Sequence, residues 1–378
     1  MTPLLADPTP GLLRAAPIEP AGHTMTHARL LRYLEIKVHH LIQDQDWDSI
    51  RVIGGYDRTA VISRYEKTGK LFNIERPTAE IHGRDLIVKA FPGADYVQHY
   101  ALIIATYLAM TGRPVGTVTY QPPEQEECRT ALDALDLELD GDLVIVGWGL
   151  QYLAPENGVW TRGPGYAWQR TEVAGRRVVY LGFLHSIWGD VAGRVVARLA
   201  ELGAGDVVYV GKVGSLTPGV EPNAWLATGN TSLVRGAMVS WDDFFDDYAA
   251  AHDGVRSGLH VSSPSILLEN RDWLAQHTAS YAFVDPEIGP MGAAARQAGI
   301  RFGYLHVISN NLATHYPADL SNERHSDVLR QRAVLVGRIR TIITGRLTAA
   351  RPTPWENPDD GERADHHRSR EADHLRRW

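Results

Sequence analysis

The chain has 378 residues, 44% of them hydrophobic and 22% charged, with a net charge of -7; this is apolar material for two cores, since domains usually run to ~100–200 residues. No apolar run nears the ~20 residues that cross a bilayer, residues 1–25 lack the build of a secretory signal, and the acidic balance argues against electrostatic binding of nucleic acid. Cys128 is the single cysteine, which excludes an internal disulfide and a cysteine-rich zinc site and makes a cytoplasmic protein the expectation.

Residues 1–25 hold Pro3, Pro8, Pro10, Pro17 and Pro20 with no sustained period, so a loose arm is expected. Leu30, Leu31, Leu34, Val38 and Leu41 recur at helical spacing and predict one amphipathic helix over His27–Gln43. Runs at Ser49–Gly54 and Asp85–Ala90 predict strands, Tyr96–Met110 a helix ended by Gly112 and Pro114, and Val115–Tyr120 another strand. A polar stretch, Gln121–Glu127, and a short helix lead to a domain boundary placed near Gly141. Within this block Asp57, Arg58, Arg64 and Lys67 gather near the Gly54-Gly55 turn, either as an anion site or as a solvated face.

From Asp142 to about Gly345 apolar strands alternate with helical stretches. Strands are expected at Asp142–Gly149, Arg177–Leu184, Asp206–Gly211, Gly258–Ser262, Tyr281–Asp285 and Phe302–Ser309, and helices at Gly189–Leu202, Glu269–His277, Gly289–Ala298 and His325–Gly345. Strands so continuously apolar are buried on both faces, which predicts a mixed or mostly parallel sheet between helices, with ligands at the strand ends. The chain thus divides into an arm (1–25), a smaller N-terminal α/β domain (26–140), a larger α/β domain (141–346) and a tail (347–378) expected to be disordered. In that tail six arginines stand against seven acidic residues after Ala350, and His366, His367 and His374 are expected to be solvated.

Three clusters occupy the strand ends. Gly211-Lys212-Val213-Gly214-Ser215 offers a cation and a hydroxyl on a glycine turn that an anion can approach; it is also readable as a tight turn with a surface lysine, and it lacks the GxxxxGK[ST] spacing of a nucleotide loop. Asp285-Pro286-Glu287 places two carboxylates before a small-residue helix, suited to gripping a vicinal diol or to capping that helix. Ser309-Asn310-Asn311 ends the last strand with amides that both donate and accept hydrogen bonds, as ring recognition needs, or as turn residues do.

The order of these elements resembles the nucleoside phosphorylase superfamily, which includes purine and uridine phosphorylases and the nucleosidase acting on methylthioadenosine and adenosylhomocysteine. The resemblance covers about residues 142–345 and rests on four patterns in register. These are DLVIVGWG, LHSIWGDVAGRVVARLAELGAGDVVYVGKVGSL, FVDPEIGPMGAAARQAGI and FGYLHVISNN. It implies a three-layer α/β/α domain with a mixed central sheet, a homo-oligomer, and a small nucleoside-like substrate, with phosphate as a co-substrate and no other cofactor or metal. By position, Glu287 falls on the glutamate that holds the ribose hydroxyls and Asp285 on the acidic residue two before it. Lys212 falls on the small hydroxyl residue near the nucleophile, with Gly211 and Gly214 on the glycines of that loop. Ser309 falls on the serine before the family's catalytic aspartate and Gly147 on the first-strand glycine, while Ile266 and Leu267 lie near the base-binding wall.

The departures bear on the chemistry. Asn310 stands where the family's acid protonates the leaving base, and an amide cannot do so; in a branch resembling the trimeric phosphorylases an asparagine instead hydrogen-bonds 6-oxopurines. Leu150, Gln151 and Tyr152 occupy the stretch where the nucleosidases carry a water-activating glutamate, which disfavours hydrolysis. Pro286 replaces a methionine, and no phosphate-binding arginine is identifiable, leaving Lys212 and His185. The expectation is therefore an enzyme that cleaves or transfers an N-glycosidic bond, by phosphorolysis rather than hydrolysis. Glu287 would orient the ribose, Asn310 the base, and Lys212 with Ser215 the nucleophile. The alternative is a repurposed domain that binds a nucleotide-like ligand or runs another reaction. Trp241–Tyr248, with four aspartates among aromatics, is expected as a mobile acidic flap, and His306 as a residue facing the interior or a subunit contact.

Overall fold

The computed structural model describes residues 11–67, 70–316 and 326–349. The remaining residues, including most of the expected tail with His366, His367 and His374, lie outside the described residues. The first sheet is built from β1 (Leu13–Arg14), β2 (Ser49–Ile53), β3 (Thr78–His82), β4 (Asp85–Lys89) and β5 (Val118–Gln121), in the order β1-β5-β2-β4-β3. Its central strands β4, β2 and β5 are parallel. Helices α1 (His27–Glu35), α2 (His40–Asp44) and α3 (Ala94–Met110) pack on it.

Two expectations fail here. Residues 11–25 are no loose arm: Leu13 pairs with Tyr120, Ala15 N–H donates to Val118 O at 3.0 Å, and buried His23 lies 2.9 Å through Nε2 from Ile266 O. Proline, which cannot donate, is tolerated in such an edge segment. The single helix over 27–43 is two, because the chain turns after Glu35 and the His39 ring accepts Leu41 N–H to cap α2. The turn preserves the apolar period that suggested one helix, since Leu30, Leu34, Val38 and Ile42 still share one core.

The rest of the described chain begins with α4 (Gln125–Thr130), β6 (Leu143–Gly147), α5 (Leu150–Leu153), β7 (Thr161–Gly163), β8 (Tyr166–Val173), β9 (Arg176–Phe183) and α6 (Asp190–Glu201). It continues with β10 (Asp206–Val210), β11 (Lys212–Ser215), β12 (Leu226–Thr228), β13 (Thr231–Val234), β14 (Ala237–Ser240), β15 (Val255–Ser257) and β16 (His260–Ser262). Last come α7 (Arg271–His277), β17 (Phe283–Asp285), α8 (Ile288–Ala298), β18 (Arg301–Tyr304), β19 (His306–Asn311) and α9 (Ser326–Thr348). One sheet has the order β18-β10-β6-β9-β8-β7 and the other β14-β13-β16-β17-β11-β19-β12-β15. Two chain segments run through both, β10 into β11 and β18 into β19, joined by Leu305 N–H to Tyr209 O (3.1 Å) and Val307 N–H to Gly211 O (3.0 Å). Helices α6 and α8 bury Val195, Val196, Leu199, Met291 and Ala295 on one face, and α5 and α9 bury Leu150, Leu153, Leu335, Ile339 and Ile342 on the other. This is the expected three-layer α/β/α arrangement around mixed sheets, preceded by a smaller α/β sheet.

The hairpin strand β8 and the short strands β12 to β15 were not foreseen: β8 alternates with Gln169, Arg170, Thr171 and Glu172, and the others span only three or four residues. The acidic segment is not a mobile flap. Trp241, Phe244 and Phe245 are buried, Phe244 N–H donates to Phe302 O, and Arg346 clamps Phe244 O and Asp246. Its aromatics outweigh its charges.

The first sheet's layer is fastened to the rest by two helix starts that cap each other. Asp190 accepts Ala94 and Asp95 N–H, both at 3.1 Å, and Asp95 accepts Asp190 N–H at 3.0 Å. Burial and then the neighbouring Asp95 push the Asp190 carboxyl up to about 6. Removing these caps in Asp190→Ala is expected to cost ~1–2 kcal/mol by chemical denaturation. Because the folded value lies above the free one near ~4, folding favours the protonated pair. Stability is therefore full below that pH and falls as pH rises through about 6. Denaturation midpoints of Asp190→Asn across that window should lose this slope.

Candidate functional site

The ends of β6, β10, β17 and β19 meet, and the glycines among them make the meeting possible. Gly147 has φ +116°, and a Cβ there would overlap the carbonyl oxygen of Val210 and lie 2.7 Å from the Tyr209 ring. A Cβ on Gly211 would sit 2.7 Å from His306 Nε2, and one on Gly214 would crowd Leu312, Val284 and Asn310 Nδ2. Gly214 thus lies between Val284, next to Asp285, and Asn310, its two register partners.

Asp285 is the cap of α8. Its Oδ1 accepts Glu287 N–H at 3.0 Å and Ile288 N–H at 2.8 Å, and the residue is 5% exposed. Two buried histidines flank it. His260 Nε2 accepts Asp285 N–H at 2.9 Å, which leaves the ring proton on Nδ1 to donate to Ser232 Oγ at 2.8 Å. His306 lies with Nε2 3.6 Å from Asp285 Oδ2, beyond a hydrogen bond, and neither its ring nitrogens nor Oδ2 has a partner among the described residues. Burial holds His306 neutral, down to about 4, against the pull of Asp285.

With Asp285 occupied as a cap, Glu287 is the carboxylate that retains access. It is half-buried, and burial followed by the Asp285 charge raises its carboxyl well above the usual range, Lys212 pulling the other way. Its backbone enters α8, so the side chain is not spent on the helix. Lys212 Nζ stands 5.8 Å over the Trp148 ring. Ser309 Oγ donates to Asn310 Oδ1 at 3.1 Å, and Asn310 Nδ2 lies toward Gly214, 3.3 Å from where a Cβ on that glycine would sit. Glu287 and Lys212 thus lie within electrostatic reach of each other, and Asn310 stands in register beside Gly214, two residues beyond Lys212.

Other expected site residues are placed differently. Ser215 is fully buried, its hydroxyl accepting Thr217 N–H at 3.1 Å, so it cannot face an anion. Asn311 is a brace, donating to Thr217 O and Val220 O and accepting Ala313 and Thr314 N–H. Leu267 packs into the core of the first sheet, and Ile266 lies against it. His185 packs 4.9 Å from Phe91 and 5.8 Å from Phe183, and burial lowers it to about 4. Arg58 pairs with Glu66 and Glu75, Arg64 with Asp44, and Asp57 with Lys89, which removes them from the anion reading and leaves Lys67.

The layer before Gly141 contributes what sequence reading missed. His99 of α3 bridges Ser265 Oγ (2.7 Å) and Tyr33 Oη (3.3 Å) and stacks on Trp188. Tyr33, Tyr96 and Arg76 lie within electrostatic reach of one another, with Glu269 facing Tyr33; burial, opposed by a Ser263 hydrogen bond and reinforced by Asp285, raises Glu269 to about 8. Only a charge placed directly after the apolar Ile266-Leu267-Leu268 run hinted at Glu269. An open crevice of about 460 Å³ lies at the opposite ends of the strands, but its arginines are engaged, Arg177 with Asp142, Arg176 and Arg301 with Asp206, and Arg346 with Asp246.

No family model matches the chain. It is 28% identical over 300 residues to "Oxidoreductase cns1" of Cordyceps militaris, a match covering 71% of this chain and 36% of that protein. The chain therefore spans about a third of the length of this curated relative. Among solved structures it is similar to a 5'-methylthioadenosine/S-adenosyl homocysteine nucleosidase of Campylobacter jejuni, with 10% identity and a TM-score of 0.44 over 55% of this chain and 98% of that one. It is also similar to a uridine phosphorylase of Vibrio fischeri (13%, TM-score 0.45, 56% and 91%) and a futalosine hydrolase of Helicobacter pylori (11%, TM-score 0.43, 54% and 99%).

Proposed function

We propose that the chain cleaves or transfers the N-glycosidic bond of a nucleoside-like metabolite, by phosphorolysis rather than hydrolysis. What supports this reading is Glu287 just past the end of β17 within the field of Lys212, with Asn310 in register beside Gly214. Dissociative cleavage builds positive charge on the sugar and negative charge on the base, so it needs fixed groups at both ends and a held nucleophile. Glu287 orients the sugar hydroxyls; burial and Asp285 favour the protonated form of its carboxyl, which both donates and accepts. Asn310 donates to the departing base, and Lys212 holds the anionic nucleophile. The stretch Leu150–Tyr152 bears no carboxylate to activate water, which favours an anion over water as acceptor. The Cordyceps militaris protein carries the name of an oxidoreductase, and this chain spans 36% of it.

The test is chromatographic detection of free base from a panel of purine and pyrimidine nucleosides with and without phosphate. Release that requires phosphate is expected. Release at equal rate without phosphate would replace phosphorolysis by hydrolysis, and no release from any nucleoside or nucleotide would favour a domain that only binds such ligands.

A further inference from the structure

Asp285 holds the start of α8 through one oxygen. Its Oδ1 accepts the N–H groups of Glu287 and Ile288, while Oδ2 is buried and has no hydrogen-bond partner among the described residues. A carboxylate anchored on one side can swing about its last torsion, and with it the turn that carries Glu287. Facing the idle oxygen is His306, fully buried, with Nε2 3.6 Å away and no hydrogen-bond partner for either ring nitrogen among the described residues. A buried donor and a buried acceptor that confront each other unbonded are costly, and joining them removes both costs.

The contact also has a defined place in the sheet. Strands run in the order β16-β17-β11-β19, so Asp285 at the end of β17 and His306 at the start of β19 have β11 between them. They reach each other past Gly211, the residue before β11, where a Cβ would stand 2.7 Å from His306 Nε2. Tyr209 and Tyr304 wall the imidazole, their ring centroids 4.5 and 5.4 Å from its own. On the far side of Asp285, His260 Nε2 accepts the Asp285 N–H. The carbonyls of Leu305 and Tyr209 border the His306 ring as well. Tyr209 O already accepts Leu305 N–H, and a neutral carbonyl competes poorly with a carboxylate oxygen for the one proton of a neutral imidazole.

We infer that His306 is a positioning residue: with its proton on Nε2 it donates to Asp285 Oδ2, and so fixes the carboxylate whose other oxygen holds the chain at Glu287. A small rotation of either side chain brings the contact from 3.6 Å to the ~2.9 Å of a hydrogen bond. His260 and His306 then carry opposite tautomers on the two sides of one carboxylate, and β19, which bears Asn310, is tied across β11 to the end of β17. This deepens the reading given above and rests on it only for the effect on turnover.

The experiment is long-range proton–nitrogen correlation NMR of the full chain labelled at its histidine nitrogens, which reports the tautomer of each imidazole. Spectra of His306→Gln and His260→Gln assign the two signals. Burial lowers His306 to about 4, so near neutral pH it holds one proton, expected on Nε2. In Asp285→Asn the amide oxygen is still needed by the N–H groups of Glu287 and Ile288, which turns the amide nitrogen toward Nε2, and the His306 proton is expected to move to Nδ1. A proton on Nδ1 in the unaltered protein, or a tautomer unchanged in Asp285→Asn, would overturn the pair. For turnover, His306→Phe is expected to lower kcat for base release about tenfold or more with a smaller change in KM. His306→Gln, whose amide nitrogen can reach the place of Nε2, is expected to recover most of that loss. Equal rates in the two variants would reduce His306 to a packing residue. No base release by the unaltered protein would remove the glycosidic reading instead, and the tautomers would still decide the pair.

Discussion

Glu287→Ala is expected to lower kcat/KM for base release by about 10²–10³-fold, the usual cost of deleting a group that stabilises developing charge. The side chain is half-buried at the end of β17, beside Asp285 and within the field of Lys212. Folding should survive, because the cap of α8 is Asp285, whose Oδ1 holds the N–H groups of Glu287 and Ile288. Deleting a carboxyl that Asp285 repels should leave the melting temperature unchanged or higher. Glu287→Gln separates roles. If the neutral carboxyl acts as donor and acceptor, the amide should retain much more activity than alanine, in a ratio that does not vary with pH because neither side chain titrates, whereas the unaltered protein should lose activity as pH rises through the raised range of its carboxyl. The assay is base release at several pH values with circular-dichroism melting of each variant; full activity of Glu287→Ala would sink the assignment.

The second large effect is on stability. Gly147→Ala should destabilise the fold by about 3 kcal/mol or more, since it combines a positive φ with a core clash. The added methyl would overlap the carbonyl of Val210, which is fixed in register opposite Gly147, and would press on Tyr209, whose ring lies 4.5 Å from that of His306. Neither neighbour has room to yield. Gly175→Ala is the control: φ is +73° but nothing lies within 4 Å, so only the backbone strain of ~1–2 kcal/mol remains. Urea denaturation of the two variants measures the difference, and equal midpoints would show that the crowding at Gly147 is relieved by movement.

Much of the larger α/β part was legible because its signals are local. Runs such as Leu143–Gly147 and Val207–Val210 are apolar on every residue since both faces of the sheet are covered. Resemblance motifs at the strand ends likewise brought Glu287, Lys212 and Asn310 forward. What stayed hidden depends on partners distant in sequence. Whether Asp285 grips a ligand or caps a helix is decided by where Glu287 and Ile288 N–H point, and the burial of Ser215 by the turn to Thr217. His99 and Tyr33 carry no pattern of their own; they matter because the first sheet's layer folds against the 262–269 segment, where His99 meets Ser265. The N-terminal edge strand was lost among prolines, and the acidic stretch misled because its charges were weighed above Trp241, Phe244 and Phe245.

The two strands that pass uninterrupted from one sheet into the other have a further consequence. Chain segments hydrogen-bonded through Tyr209, Gly211, Leu305 and Val307 have no seam along which to hinge, so the ends that carry Lys212 and Asn310 move as one rigid body. Any adjustment to ligands of different shape then falls to the segments around those strand ends rather than to the strands themselves. Stiffness and adaptability are thus assigned to different stretches of the polypeptide, and sequence change in the second can alter what is admitted without disturbing the alignment of the first.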